Sequence, residues 1–144
     1  MSAYRKIIKQ ELEDYRSQLS GCLLKMKNGN GIPWPHDVTA VSRFISRRLY
    51  HPDLDIAYMK ENKVIKSRKV PSLFSYHIGV SITTYINRHR VQASQRILCN
   101  PKLTAVTVTD LAYKVGYRRS STYIKAFKRC EDIPPGRWKD INLT

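Results

Sequence analysis

The residues able to hold a metal or attack a substrate are few in this chain, and their spacing supports neither chemistry. Cys22, Cys99 and Cys130 are odd in number and far apart, with no CxxC pair among them. A disulfide framework or a thiolate metal site is therefore not expected, and a reducing compartment suits these thiols better. The histidines His36, His51, His77 and His89 form no HxxxH or HExxH pattern, so no metal and no cofactor is expected. No nucleophile–base constellation accompanies them, which argues against an enzyme. Positive charge, in contrast, is abundant: 26 Lys and Arg stand against 11 Asp and Glu in 144 residues, a formal net charge of +15. Such an excess draws a polyanion, with nucleic acid the first candidate and an anionic membrane surface the second.

The length suits one domain plus an appendage, with enough chain for a hydrophobic core that needs no staple. Near the N-terminus Arg5, Lys6 and Lys9 are followed by Glu11, Glu13 and Asp14 rather than by an apolar run, so no signal peptide is expected. No stretch approaches the ~18 apolar residues of a membrane span. A cytoplasmic protein with no membrane partner is the expectation.

Three regions must position whatever the charge recognises. In residues 1–27, Ile8, Leu12, Tyr15, Leu19, Cys22 and Met26 recur at alternating spacings of three and four, which predicts an amphipathic helix, weakened at Gly21. Residues 28–36, containing NGNGIPWP, read as a linker. Residues 37–144 carry most of the charge and a strong helical pattern with little strand signal, so the fold class is all-α. There, Val41, Phe44, Ile45 and Leu49 mark a helix that His51-Pro52 should end. Ile56 and Met59 begin a short helix, and Leu73, Phe74 and Ile78 mark another. Ser81 caps a long helix over 81–99 bearing Ile82, Tyr85, Ile86, His89, Ala93 and Ile97, closed by Asn100-Pro101. Thr107 and Asp110 form a capping-box pattern before Val108, Leu111 and Ala112, and a last long helix holds Tyr123, Ala126 and Phe127, with Pro134-Pro135 just beyond it.

A repeat lies within this region. At a shift of 52 residues Ile56 falls on Val108, Met59 on Leu111, Val64 on Gly116 and Ile65 on Tyr117; at 53, Val70 falls on Tyr123, Leu73 on Ala126 and Phe74 on Phe127. Each copy is a short helix, a tight turn and a second helix, the layout of a helix-turn-helix. The register places one extra residue in the turn of the second copy. The two units fall at about 54–79 and 107–130, joined by the long helix.

The second unit, TVTDLAYKVGYRRSSTYIKAFKRCEDIPPGRWK, closely resembles the second helix-turn-helix of the AraC/XylS regulators. The matching places are Val108, Leu111-Ala112, Gly116-Tyr117, Phe127-Lys128, Pro135 and Trp138-Lys139. Upstream, Leu73-Phe74, Gly79, Ser81, Tyr85-Ile86, Arg90, Ala93 and Leu98 match the family from the first recognition helix into the linker helix. The resemblance implies a sequence-specific transcription regulator of the nucleoid whose partner is double-stranded DNA. By the same analogy Ser120, Ser121, Ile124 and Lys125 contact base edges, with Arg68 and Ser72 in the first unit. Lys66, Lys69, Arg118, Arg119 and Thr122 would contact phosphates. Two departures stand out. Lys60 occupies a place usually held by a small Ala, and Pro71 lies in the first recognition helix, which must either start near it or be distorted. The chain is also similar to the short members of the family, without the usual ligand-sensing domain ahead of the DNA-binding part.

Two other readings compete. A DNA-repair methyltransferase with an AraC-like domain would need a zinc-held cysteine cluster, which the spacing does not provide. An architectural DNA-bending protein would need little sequence preference, whereas the second recognition helix is polar and chemically varied. The N-terminal seam has three possible destinations: self-pairing as a short coiled coil in a homodimer, folding back on its own domain, or docking on a coregulator or RNA polymerase.

Overall fold

A computed structural model describes residues 3–23 and 33–143. Most of the stretch read as a linker, and Met26 of the seam, lie outside the described residues. The regular elements are helical, as expected: α1 (Ala3–Leu23), α2 (His36–Arg47), α3 (Ile56–Glu61), α4 (Lys69–Ile78), α5 (Ile82–Leu98), α6 (Val108–Lys114), α7 (Ser120–Glu131) and α8 (Pro135–Leu143), with a 3-10 turn at Pro101–Leu103.

Local chemistry sets the helix starts. The side chains of Asp55, Ser81 and Thr107 accept from the backbone N–H groups of Tyr58, Thr84 and Asp110 at 2.7, 3.1 and 3.1 Å, each satisfying a donor that its helix leaves open. Gly79, at φ +94, ends α4 in the left-handed conformation that a Cβ disfavours. Pro71 costs α4 little. The helix begins at Lys69, so the missing N–H falls in the first turn, where it has no intrahelical partner. Starting near the proline, rather than distortion, resolves that expectation.

Two cores form, one per unit. In the first, Val41 and Ile45 of α2 meet Met59, Val70 and Phe74 of the helix-turn-helix and Ile82 and Ile86 of α5. In the second, Leu111, Ala112, Tyr123 and Phe127 pack on Val91, Ile97 and Leu98 of the same α5. The linker helix thus serves both units with opposite ends. The Tyr123 hydroxyl donates to Ser94 Oγ on α5 at 2.7 Å, and Ser94 donates to the Val91 carbonyl at 2.6 Å, so the buried polar atoms here are paired.

One open choice is decided and two expectations need correction. The seam of α1 folds back on its own domain, one of its three destinations: Ile8 and Leu12 enter the second core and Leu19 the first. Cys22, assigned to that seam, is exposed. Pro134-Pro135 lies just beyond α7, as expected. Pro135 opens α8, its fixed φ suiting a first helical turn, and Trp138 packs edge-on against Phe127 with centroids 5.8 Å apart. The extra residue of the second unit lies before the turn, not in it. Val64 N–H bonds the Met59 carbonyl as Tyr117 N–H bonds that of Ala112, and Lys63 (φ +60) stands where Gly116 (φ +108) does, so a shift of 53 already applies through the turn. Met59 is therefore the buried counterpart of Ala112, and Lys60 points to solvent.

Candidate nucleic-acid interface

The core-facing stripe of α7 decides which side chains are left to act. Tyr123, Ala126 and Phe127 are buried. One helical step away, Ser121 and Lys125 are exposed, and Ser120 and Ile124 are partly covered at the edge of the stripe. Ser121, Lys125 and Lys128 follow one another at spacings of four and three, so they form one ridge. Arg118, Arg119 and Thr122 are exposed around the start of the helix. Arg119 occupies the N-cap without a capping side-chain bond, which leaves first-turn N–H groups of α7 open to an anion. The structure thus gathers the sequence-predicted residues of the second unit at one end of one helix.

Arg118 is not a free cation. It pairs with Asp53, from the connection between α2 and α3, and both side chains stay largely exposed, at 66% and 50%. An ion pair so solvated holds weakly, so a phosphate could take the guanidinium over.

In the first unit Lys66, Arg68, Lys69 and Ser72 are exposed around the start of α4, and Pro71 is partly buried. One turn beyond Ser72 stands Tyr76, 82% exposed and edge-on to His77. Sequence reasoning passed over Tyr76, and it took Lys128 as a family match and not as a site residue. Their spacings of four from Ser72 and three from Lys125 were the available signal, but an aromatic reads as core and a lysine as solvated face.

The turn between α6 and α7 is fastened by a buried cation. Arg90 of α5, 6% exposed, donates from Nε to the Leu49 carbonyl and from Nη2 to that of His51, both at 2.8 Å. Its guanidinium lies 5.1 Å from the centre of the Tyr117 ring, and a Cβ on Gly116 would come within 2.9 Å of it. Burial lowers the pKa of Arg90 from its ordinary value; the neighbouring Tyr117 raises it in part. Two carbonyls and a π face replace the water that the charge has lost. This single side chain joins the corner after α2 in the first unit to the turn of the second. Asn87, one helical turn earlier, accepts from the Tyr117 hydroxyl at 2.7 Å.

Among the described residues no group of three His, Cys, Asp or Glu could hold a metal ion, and no helix is long and apolar enough to cross a membrane. What the fold defines is a pair of helix-turn-helix units on a shared linker helix, each presenting basic and hydroxyl side chains at the start of its second helix. A family model described as a helix-turn-helix domain, of the AraC/XylS type, matches residues 64–141, more than half of the chain. The chain belongs to that family, whose members are DNA-binding transcription regulators.

Relatives agree. The chain is 31% identical over 68 residues to an uncharacterized HTH-type transcriptional regulator, YtdP, of Bacillus subtilis (strain 168), covering 47% of this chain and 8% of that protein. It is 21% identical over 107 residues to the arabinose operon regulatory protein of Escherichia coli (strain K12), covering 74% of this chain and 36% of that one. The chain therefore spans well under half the length of either. Among solved structures, the C-terminal domain of AraT, a response regulator from Geobacillus stearothermophilus, has the same fold at a TM-score of 0.68 and 15% identity, over 77% of this chain and 89% of that one. A DNA-binding transcriptional dual regulator from Escherichia coli K-12 follows at 0.59 and 15% identity, over 75% and 93%.

Proposed function

We propose that the chain binds specific double-stranded DNA in the cytoplasm and regulates transcription there, α7 reading base edges in one major groove and α4 entering the next. The observation that carries this reading is the ridge of Ser121, Lys125 and Lys128 with Ser120 and Ile124 beside it. It is a polar and apolar mixture at the open end of a helix whose other face is locked into the core. Serine donates to or accepts from several base edges, lysine reaches guanine O6 and N7, and Ile124 packs on a thymine methyl. Arg119, Thr122 and, once released from Asp53, Arg118 hold phosphates beside that groove, as Lys66 and Lys69 do beside the other. With Pro71 on the groove side, the first unit reads less: Arg68 and Ser72 are its base readers, and most of its binding is electrostatic.

Because the seam of α1 is used within the chain, one copy is the reading unit, and its site is bipartite and not palindromic. Bound at a promoter it would act on RNA polymerase, a part of the reading that rests on the family alone. Selection of bound duplexes from a random pool by the intact protein, followed by affinities for selected and random DNA at one salt concentration, is the experiment. Regulation by sequence requires a preference of about 10³ or more for the selected duplex. Equal affinity would leave the architectural, DNA-bending alternative instead.

A further inference from the structure

Helix α1 belongs to neither helix-turn-helix unit nor to the linker between them. α1 lies outside the stretch matched by the family model, and it is seated across the joint between the units. Ile8 and Leu12 are buried in the second core, Leu19 in the first, and Tyr15 between them packs against both. Polar bonds follow the same line. The Tyr15 hydroxyl donates to Gln92 Oε1 at 2.7 Å and lies 2.6 Å from His89 Nδ1, both residues on α5. A hydroxyl has one proton, so giving it to Gln92 makes His89 Nδ1–H the donor of the second bond. Tyr50, just beyond α2, donates to the Leu12 carbonyl of α1 at 2.6 Å. Arg96 of α5 donates to Gln18 at 3.1 Å, and Ser20 to Ser46 of α2 at 3.0 Å.

We propose that α1 is a spacer bar: it fixes the placement of one recognition helix relative to the other, and so the distance between the two half-sites the protein accepts, with Tyr15 as the positioning residue. The proposal rests on the two-groove reading above. Without α1, the units would be joined by α5, by the Arg90 clamp and by the exposed Arg118–Asp53 pair, and could rock more freely about α5. A helix of 21 residues, about 31 Å long, fastened in both cores removes that freedom. The consequence appears on DNA. One inserted base pair rotates the far half-site by about 34°, since a turn holds 10–10.5 pairs. A rigid pair of units cannot follow that rotation, and a loose pair can.

The test uses the full-length protein and a selected duplex, with versions carrying one base pair more or fewer between the half-sites. Tyr15→Phe and Tyr50→Phe each delete one hydroxyl, keep the ring and touch neither recognition helix. The wild type is expected to lose about tenfold or more in affinity on respacing, and each variant about threefold or less, with the original duplex bound nearly as before. A merely stabilising role would lower affinity equally at every spacing, or not at all. Either pattern in the variants overturns the proposal, and so does a wild type that ignores spacing. If circular dichroism shows one variant unfolded, the other decides. A wild type that binds no duplex would instead overturn the DNA-binding reading itself.

Discussion

Lys125 is the residue on which the chemistry of recognition turns most. It stands on the exposed ridge of α7 four residues after Ser121. Truncating Lys125 to Ala should cost about 1–3 kcal/mol on the selected duplex and relax the preference at one base pair, with little change on random DNA. Competition binding against single-base variants of the site measures both. Equal weakening on all duplexes would make Lys125 a phosphate contact.

His89 belongs to the same scale but acts on stability. Burial beside Tyr15 and Tyr85, and to a lesser extent the charge of Arg88, push its pKa down to about 4. The folded state therefore resists a proton that the unfolded chain accepts near pH 6.5. The stability held by neutral His89 is complete above pH 6.5 and is lost as the pH falls towards 4, by about 3 kcal/mol. Urea unfolding at pH 7, 5.5 and 4.5 should show this decline, and His89→Gln should flatten it. An unchanged slope in His89→Gln would assign the decline to other groups.

At the scale of elements, the turn before α7 joins two constraints on one glycine. Gly116 sits at φ +108, and a Cβ there would meet the Arg90 guanidinium, itself bonded to two carbonyls. Gly116→Ala should destabilise the protein by about 1–3 kcal/mol in thermal or urea unfolding. A change below about 0.5 kcal/mol would mean that Arg90 moves aside freely, and that the clamp between the units is weak.

The elements also mark what the sequence could reveal. Ser81, Thr107 and Gly116 announce caps and a turn because those interactions are local, spanning three or four residues. The long helix was legible for the same reason: expected over 81–99, it runs Ile82–Leu98 between the caps Ser81 and Cys99. The destination of α1 was not, since Ile8, Leu12 and Leu19 repeat identically whether the apolar surface that meets them is on this chain or another. Nor was the register of the turn in the first unit: Met59 and Lys60 are neighbours, and only the bond from Val64 N–H to the Met59 carbonyl shows which one is turned inward. At the site, the exposed faces of α4 and α7 follow from the buried positions Phe74 and Phe127, while the pairing of Arg118 with Asp53 spans 65 residues and left no trace in spacing.

At the scale of the whole molecule, geometry joins the two units. Two helix-turn-helix units share α5, about 25 Å long, with Arg90 and α1 bridging the joint between them. A formal charge of +15 draws such a body to any duplex, and its on-rate and affinity fall as salt rises. Specificity needs more than attraction: α4 and α7 must present themselves to successive major grooves of one face. Hydroxyl-radical footprinting of the intact protein on its selected duplex tests that claim most directly. One bound copy should protect two patches about one helical turn apart on the same side of the DNA, unlike in sequence, the patch under α7 the stronger. Protection confined to one groove, or spread evenly along the duplex, would contradict the account.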